Sequence, residues 1–311
     1  MTRNGKITAT LLVAAIAAVG CSKDKTSQTN NQEAQRSAKV LPVSMPTRVG
    51  DKAVDGTSAK FTGPVSFADG EAAYQAGKFV EATQMFEQYT VEKPNNAWGH
   101  FMLGLSASKG GNPDKAEKAF EEALRLDPDH LKSLLNLSRV LIDQRRFDEA
   151  IVKLTRAGEI KPDSVELQRL LGRTYNGQHK TNDAVDAYHK AIALDPTDAW
   201  SMNNLGLILI QQGKYSEATP FFAKAVELEK DVPTFHNNLG MALEHTGRFT
   251  AAASEYKDTL AADPSNEKAK RNLARVESVK VSAEDPFDRE AEAKRAVEVK
   301  QPATESSTVA Q

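Results

Sequence analysis

The chain has 311 residues, 40 of them basic and 42 acidic, for a formal charge of -2. That balance gives no strongly basic face of the kind nucleic acid demands, and a single cysteine excludes an intramolecular disulfide and a cysteine-clustered zinc site. Hydrophobic residues at 40% and aromatics at 6% suit an Ala- and Leu-rich helical protein better than a β-sandwich, with length for one elongated or two compact domains.

Taken in chain order, the N-terminus has three parts. Arg3 and Lys6 form a positive start, 7–19 is a mostly apolar run, and Ala18-Val19-Gly20 then precede Cys21. The apolar run is too short to span a bilayer comfortably. Ala-Val-Gly-Cys resembles the lipobox of bacterial lipoproteins, with Ala18 where leucine is commoner. The resemblance implies a signal peptide over 1–20 and a lipidated Cys21 at the mature N-terminus. It also implies outer-membrane sorting, because Ser22 rather than aspartate follows the cysteine. An ordinary secretory leader with an incidental cysteine is the competing reading. From 21 to 62 the sequence is rich in Ser, Thr, Gln, Asn, Lys and Pro without periodicity, and reads as a disordered tether. Its root-mean-square reach is roughly 35 Å for a flexible coil.

A 34-residue period begins at 63 and runs without insertion to 266, giving units at 63–96, 97–130, 131–164, 165–198, 199–232 and 233–266. A small anchor recurs at Gly70, Gly104, Ser138, Gly172, Gly206 and Gly240. Alanine follows twelve residues later each time, from Ala82 to Ala252. Four residues after that comes a large side chain: Phe86, Phe120, Leu154, Tyr188, Phe222 and Tyr256. Proline closes every unit except the fifth, which has Lys230. Because proline breaks helices and restricts its predecessor, Asp-Pro at 127–128, 195–196 and 263–264 ends one helix pair before the next begins.

The pattern, clearest in 203–228, resembles the tetratricopeptide repeat. The resemblance implies an all-α fold: a right-handed superhelical solenoid of about six helix-turn-helix repeats. Stacking must supply the core, since no single repeat can bury its apolar face alone. The stretch 267–280 keeps the first-helix register through Leu273 and then turns charged, as a capping helix should. Beyond it, 281–311 reads as a polar tail that can extend as a helix before fraying.

In tetratricopeptide proteins the first helix of each pair lines a concave groove that holds a partner. On this sequence the resemblance gives an N-terminal aromatic zone of Phe67, Tyr74, Trp98 and Phe101. A C-terminal polar zone has Asn136, Arg139, Arg169, Arg173, Asn203, Asn204, Asn237, Asn238 and Asn272. An asparagine amide both donates and accepts, so a row of them can hold an extended backbone. Bonding between adjacent helices is the alternative use of the same residues. Arg169 and Arg173, four apart, suit a carboxylate, or else ion pairs with a neighbouring helix. Trp98 and Trp200 fit inter-repeat packing better than binding. Leu170, Glu166 and Thr234 break the carboxylate-clamp set that binds chaperone C-termini.

No HExxH, GxSxG or phosphate-cradling glycine loop occurs, and the six histidines lack ligand spacing. The expectation is therefore a non-enzymatic protein-protein interaction scaffold of the cell envelope, with no cofactor, metal, nucleic acid or small-molecule substrate. It would be anchored to the membrane by lipid, and its partner would be a protein or extended peptide. Within that class a pilotin-like or assembly-factor role leads. A periplasmic peptide-holding chaperone, or an adaptor for peptidoglycan hydrolases, is the runner-up.

Overall fold

A computed structural model of the chain describes residues 64–279 and 286–298. Cys21, the leader, the tether and the extreme C-terminus lie outside the described residues. Fourteen helices and no strand occur among the described residues. They run in pairs: α1 (Phe67–Gln75) with α2 (Phe79–Glu92), α3 (Ala97–Lys109) with α4 (Pro113–Leu126), and α5 (Leu131–Asp143) with α6 (Phe147–Ile160). Then come α7 (Val165–Gly177) with α8 (Thr181–Leu194), α9 (Ala199–Gln211) with α10 (Tyr215–Leu228), and α11 (Pro233–His245) with α12 (Phe249–Ala262). α13 (Glu267–Glu277) caps the stack, and α14 (Arg289–Glu298) ends the described chain. The architecture is the all-α repeat solenoid expected.

Local chemistry places each boundary. Several first helices start on a side-chain cap: Ser66 and Asp69 form a capping box, while Asn96, Ser164 and Asn266 accept from the amides three residues on. Each first helix ends in a Schellman closure, in which the third residue beyond it donates five residues back, as Lys78 does to Ala73 at 3.0 Å and Lys214 to Leu209 at 2.9 Å. That closure needs a left-handed residue. Gly77, Gly111, Gly213 and Gly247 fill it in four turns, and Arg145 and His179 do so at φ 62 and 61 in the other two.

Packing within a pair depends on the small anchor. A Cβ at Gly70, Gly104, Gly172, Gly206 or Gly240 would stand 2.6–2.8 Å from the ring of Phe86, Phe120, Tyr188, Phe222 or Tyr256. The ring therefore lies directly on the glycine backbone, and all five rings are essentially inaccessible. Repeat 3 shows the complementary case. Its anchor is Ser138, buried with its hydroxyl donating to the Leu134 carbonyl at 2.7 Å, and the side chain opposite is the slimmer Leu154.

The buried apolar residues form two clusters, one running from repeat 1 to Leu170 and one from Ala184 to the C-terminal helix. The second contains a departure from expectation. Within the segment expected as a polar tail, α14 packs back on α10, burying Ala293 completely and Ala296 to 5% exposure. Small residues let its backbone come close, and the charges around them face outward or pair. α10 in turn carries Pro220 in its interior.

Alanine is the better helix former by about 1 kcal/mol, yet Gly206→Ala should cost a net amount on the order of 1 kcal/mol, because overpacking costs about 1–3 kcal/mol. In a Phe222→Leu background the same change should become neutral or stabilising, as read by urea unfolding.

Candidate interaction groove

The aromatic zone is only partly open. Phe101 is 4% exposed and packs on Phe120 and His130, so it belongs to the core rather than to a binding surface. Phe67 meets Phe86 and Tyr89 edge-on, and half-buried Tyr74 meets Phe79 in the same way. Burial raises the Tyr74 hydroxyl pKa, against the charge of Arg139. Trp98 is different. It stays 40% exposed, backed by Phe101 at 5.0 Å and His130 at 5.3 Å, with the Lys132 ammonium 4.9 Å over its ring. The second tryptophan, Trp200, packs edge-on against Phe235.

The asparagines are mostly consumed in packing. Asn203, Asn204 and Asn238 are 2%, 3% and 6% exposed. Asn238 donates to Asn203 across the repeat boundary at 2.8 Å, and Asn272 donates to Asn237 one repeat later at 3.4 Å. Asn136 bonds within its own helix, donating to the Lys132 carbonyl at 2.8 Å and accepting from Arg139. The register that would face a ligand also faces the next first helix, and buried amides there must satisfy one another.

The arginines do not converge on a common point. Arg139 pairs with Glu166 on the next repeat. Arg169 reaches forward to Asp198 at 2.8 Å, whereas Arg173 reaches back to Asp143 at 2.6 Å. Asp198 is nearly inaccessible, and its second oxygen accepts from the Ser201 hydroxyl at 2.5 Å. These pairs stitch repeats 3, 4 and 5 together. The Nε atoms of Arg139 and Arg169 are buried without a hydrogen-bond partner.

Sequence reading missed a polar cluster behind the sixth repeat. His236 donates through Nε2 to the Lys230 carbonyl at 2.8 Å, and its Nδ1 lies 2.7 Å from the Glu255 carboxylate. Both ring nitrogens face acceptors, an arrangement that favours the protonated ring. Burial opposes that charge, but the bonds to Glu255 and Lys230 and the charges of Glu255 and Asp258 outweigh it and leave the pKa raised. Arg289 of α14 takes the other Glu255 oxygen, its Nε at 3.0 Å, and approaches Asp258 at 3.5 Å. Ligand atoms of His236, Glu255 and Asp258 lie within 4.8 Å of one another, and the Arg289 guanidinium is set beside the two carboxylates. The available signal was the buried glutamate, which follows Ala252 in the second-helix register.

A cavity of about 490 Å³ is lined by none of the groove candidates; it lies among the turn residues Arg145, Arg146, Gln178 and Lys180 and the start of α6.

Comparison with known proteins follows the same geometry. Models described as "Tetratricopeptide repeat" match residues 107–174, 199–230 and 222–267, and one described as "TPR repeat" matches 172–213. Together they cover more than half of the chain. A curated relative, the probable biofilm formation methyltransferase WspC of Pseudomonas putida, is 30% identical over 131 residues, which are 40% of this chain and 30% of that protein. The chain thus spans under a third of that relative's length. Among solved structures, the Cut9-Hcn1 hetero-tetramer of APC/C superposes with TM-score 0.61 at 19% identity, over 67% of this chain and 41% of that one. A tetratricopeptide repeat protein from Parabacteroides merdae gives 0.58 at 15%, covering 68% and 82%. Pseudomonas aeruginosa pilF gives 0.54 at 19%, covering 64% and 88%. At these identities the likeness is one of fold.

Removing one partner of a buried pair strands the other charge. Arg169→Ala should therefore lower stability by about 3 kcal/mol, and adding Asp198→Ala should recover more than half of the loss in urea unfolding.

Proposed function

The chain is a tetratricopeptide repeat protein, and from that premise we propose that it is a non-enzymatic scaffold holding another protein or an extended peptide on its first-helix face. The observation that carries the reading is Trp98. A large ring left 40% exposed, braced from behind by Phe101 and His130 and flanked by a lysine, has the form of an interface anchor. The other aromatic candidates spend more of their surface on packing. On this reading the partner's main contact lies on repeats 2 and 3.

The polar zone then sets geometry rather than affinity. Its amides and guanidinium groups bond mainly to one another or to carboxylates, so the peptide-holding chaperone reading loses the ladder that supported it. An apolar or aromatic side chain seated on Trp98 suits a folded partner or a defined segment better than sequence-tolerant capture.

The compartment belongs to the same proposal. The leader and Ala-Val-Gly-Cys favour a lipoprotein of the cell envelope, outer-membrane and facing the periplasm, with Cys21 acylated and a pilotin-like or assembly-factor role. Two or three acyl chains would make attachment durable, since each buried methylene contributes about 0.8 kcal/mol. No described helix is long and apolar enough to cross a membrane.

A photo-crosslinking residue placed at 98 should capture one discrete partner in cells, and one at Glu121 on an outer face should not. Equal patterns from both positions would remove the groove reading. Trp98→Ala should weaken binding of the captured partner by about 2 kcal/mol, roughly thirtyfold. Mass spectrometry of the membrane fraction should find an N-terminal peptide starting at acylated Cys21; a soluble chain cleaved elsewhere would refute the anchor.

A further inference from the structure

The outer face of α10 is unlike that of the other second helices. Pro220 and Ala223 are buried there, whereas several residues in register on other repeats, Lys118, Asp186, Glu121 and Lys257 among them, are exposed. α14 is what covers them. Its apolar contribution is slight: the methyl groups of Ala293 and Ala296, with half-buried Phe287 just before the helix. Beneath it, Ala223 belongs to the same buried cluster as Val226, Ala293 and Ala296, and Pro220 is buried in the same helix. The remaining hold is ionic. Arg289 sits on Glu255 and Asp258, and Arg248 lies 3.7 Å from Glu292 and over the Phe287 ring.

We propose that the outer face of α10, flanked by Glu255 and Asp258, is a second docking surface, separate from the groove, that takes an amphipathic helix and is occupied in cis by α14. Its partner in trans is a helix of the same chemistry: a basic residue at its start, then small residues four and seven positions later, as Arg289, Ala293 and Ala296 stand here. The basic head meets Glu255, whose carboxylate is nearly inaccessible and already shared with His236. Small residues are required because the approach to Ala223 and Pro220 is close. A side chain of leucine size at 293 would hold the helix away from the carboxylates. Being tethered, α14 competes with a local concentration on the order of millimolar. Loss of the Arg289 clamp is what opens the face, and the partner must outbid a contact made mainly of two methyl groups and ion pairs.

The test uses the full-length chain and a fluorescent synthetic peptide of residues 286–298. Hydrogen exchange in α14 should quicken on the order of tenfold in Arg289→Glu while repeats 2 to 4 keep their protection. That variant should bind the labelled peptide at micromolar concentration, where the wild-type chain does not. Adding Ala223→Lys, which places a charge on the docking face, should abolish the binding. The proposal is overturned if α14 stays as protected in Arg289→Glu as in the wild type, or if it is exposed and the peptide still does not bind. It is equally overturned if Ala223→Lys leaves peptide binding intact. Crosslinking from position 98 reports on the groove independently of all three results.

Discussion

The spacing of every helix pair is set by a ring resting on a bare backbone. In five repeats an aromatic side chain on the second helix covers a glycine on the first so closely that no Cβ could stand between them. Helix-helix separation is thus fixed by the half-thickness of a ring rather than by interdigitated side chains. A close pair also fixes the turn that joins it, since the first helix must stop and the second start within three residues. The Schellman closure does this, and it requires a left-handed residue at the same place each time. Two of the six turns place Arg145 and His179 in that conformation, which strains side-chain-bearing residues by about 1 kcal/mol or more.

Stacking the pairs creates a second constraint. Polar side chains at the boundary between first helices lose water on both flanks and must find partners within the stack. Asn203 with Asn238 and Arg169 with Asp198 are solutions of that kind. The two apolar clusters are separated in the fourth repeat, where Arg169 and Arg173 reach in opposite directions. Continuity of the solenoid across that point rests on charge and amide pairing as well as on hydrophobic contact.

The fold was legible because its determinants are periodic. A glycine, an alanine and a ring recurring in phase can be read without coordinates, and so can the proline that ends five of the six units. The candidate site was less legible, because the asparagine and arginine registers are the same for binding a ligand and for bonding to the next helix. Burial alone separates the two uses, and for Phe101, Asn203 and Asn238 it favours packing. The docked C-terminal helix was invisible for another reason. Its composition is that of a solvated tail, and the matching signal lies some seventy residues earlier, where α10 replaces charged outer positions with Pro220 and Ala223. The His236 cluster depends on that same docking, since one of its charges comes from α14.

The third repeat, where Ser138 faces Leu154, has a bearing on how such a chain can change over generations. Glycine at 138 alone would leave a void over the slimmer side chain, and phenylalanine at 154 alone would strike the serine Cβ. Each single step is disfavoured, while the double step arrives at the arrangement of the other five repeats. Neighbouring repeats can therefore drift freely at their exposed positions and yet remain locked into one or the other form of this pair. By packing alone, the serine and leucine act as one unit, best exchanged together.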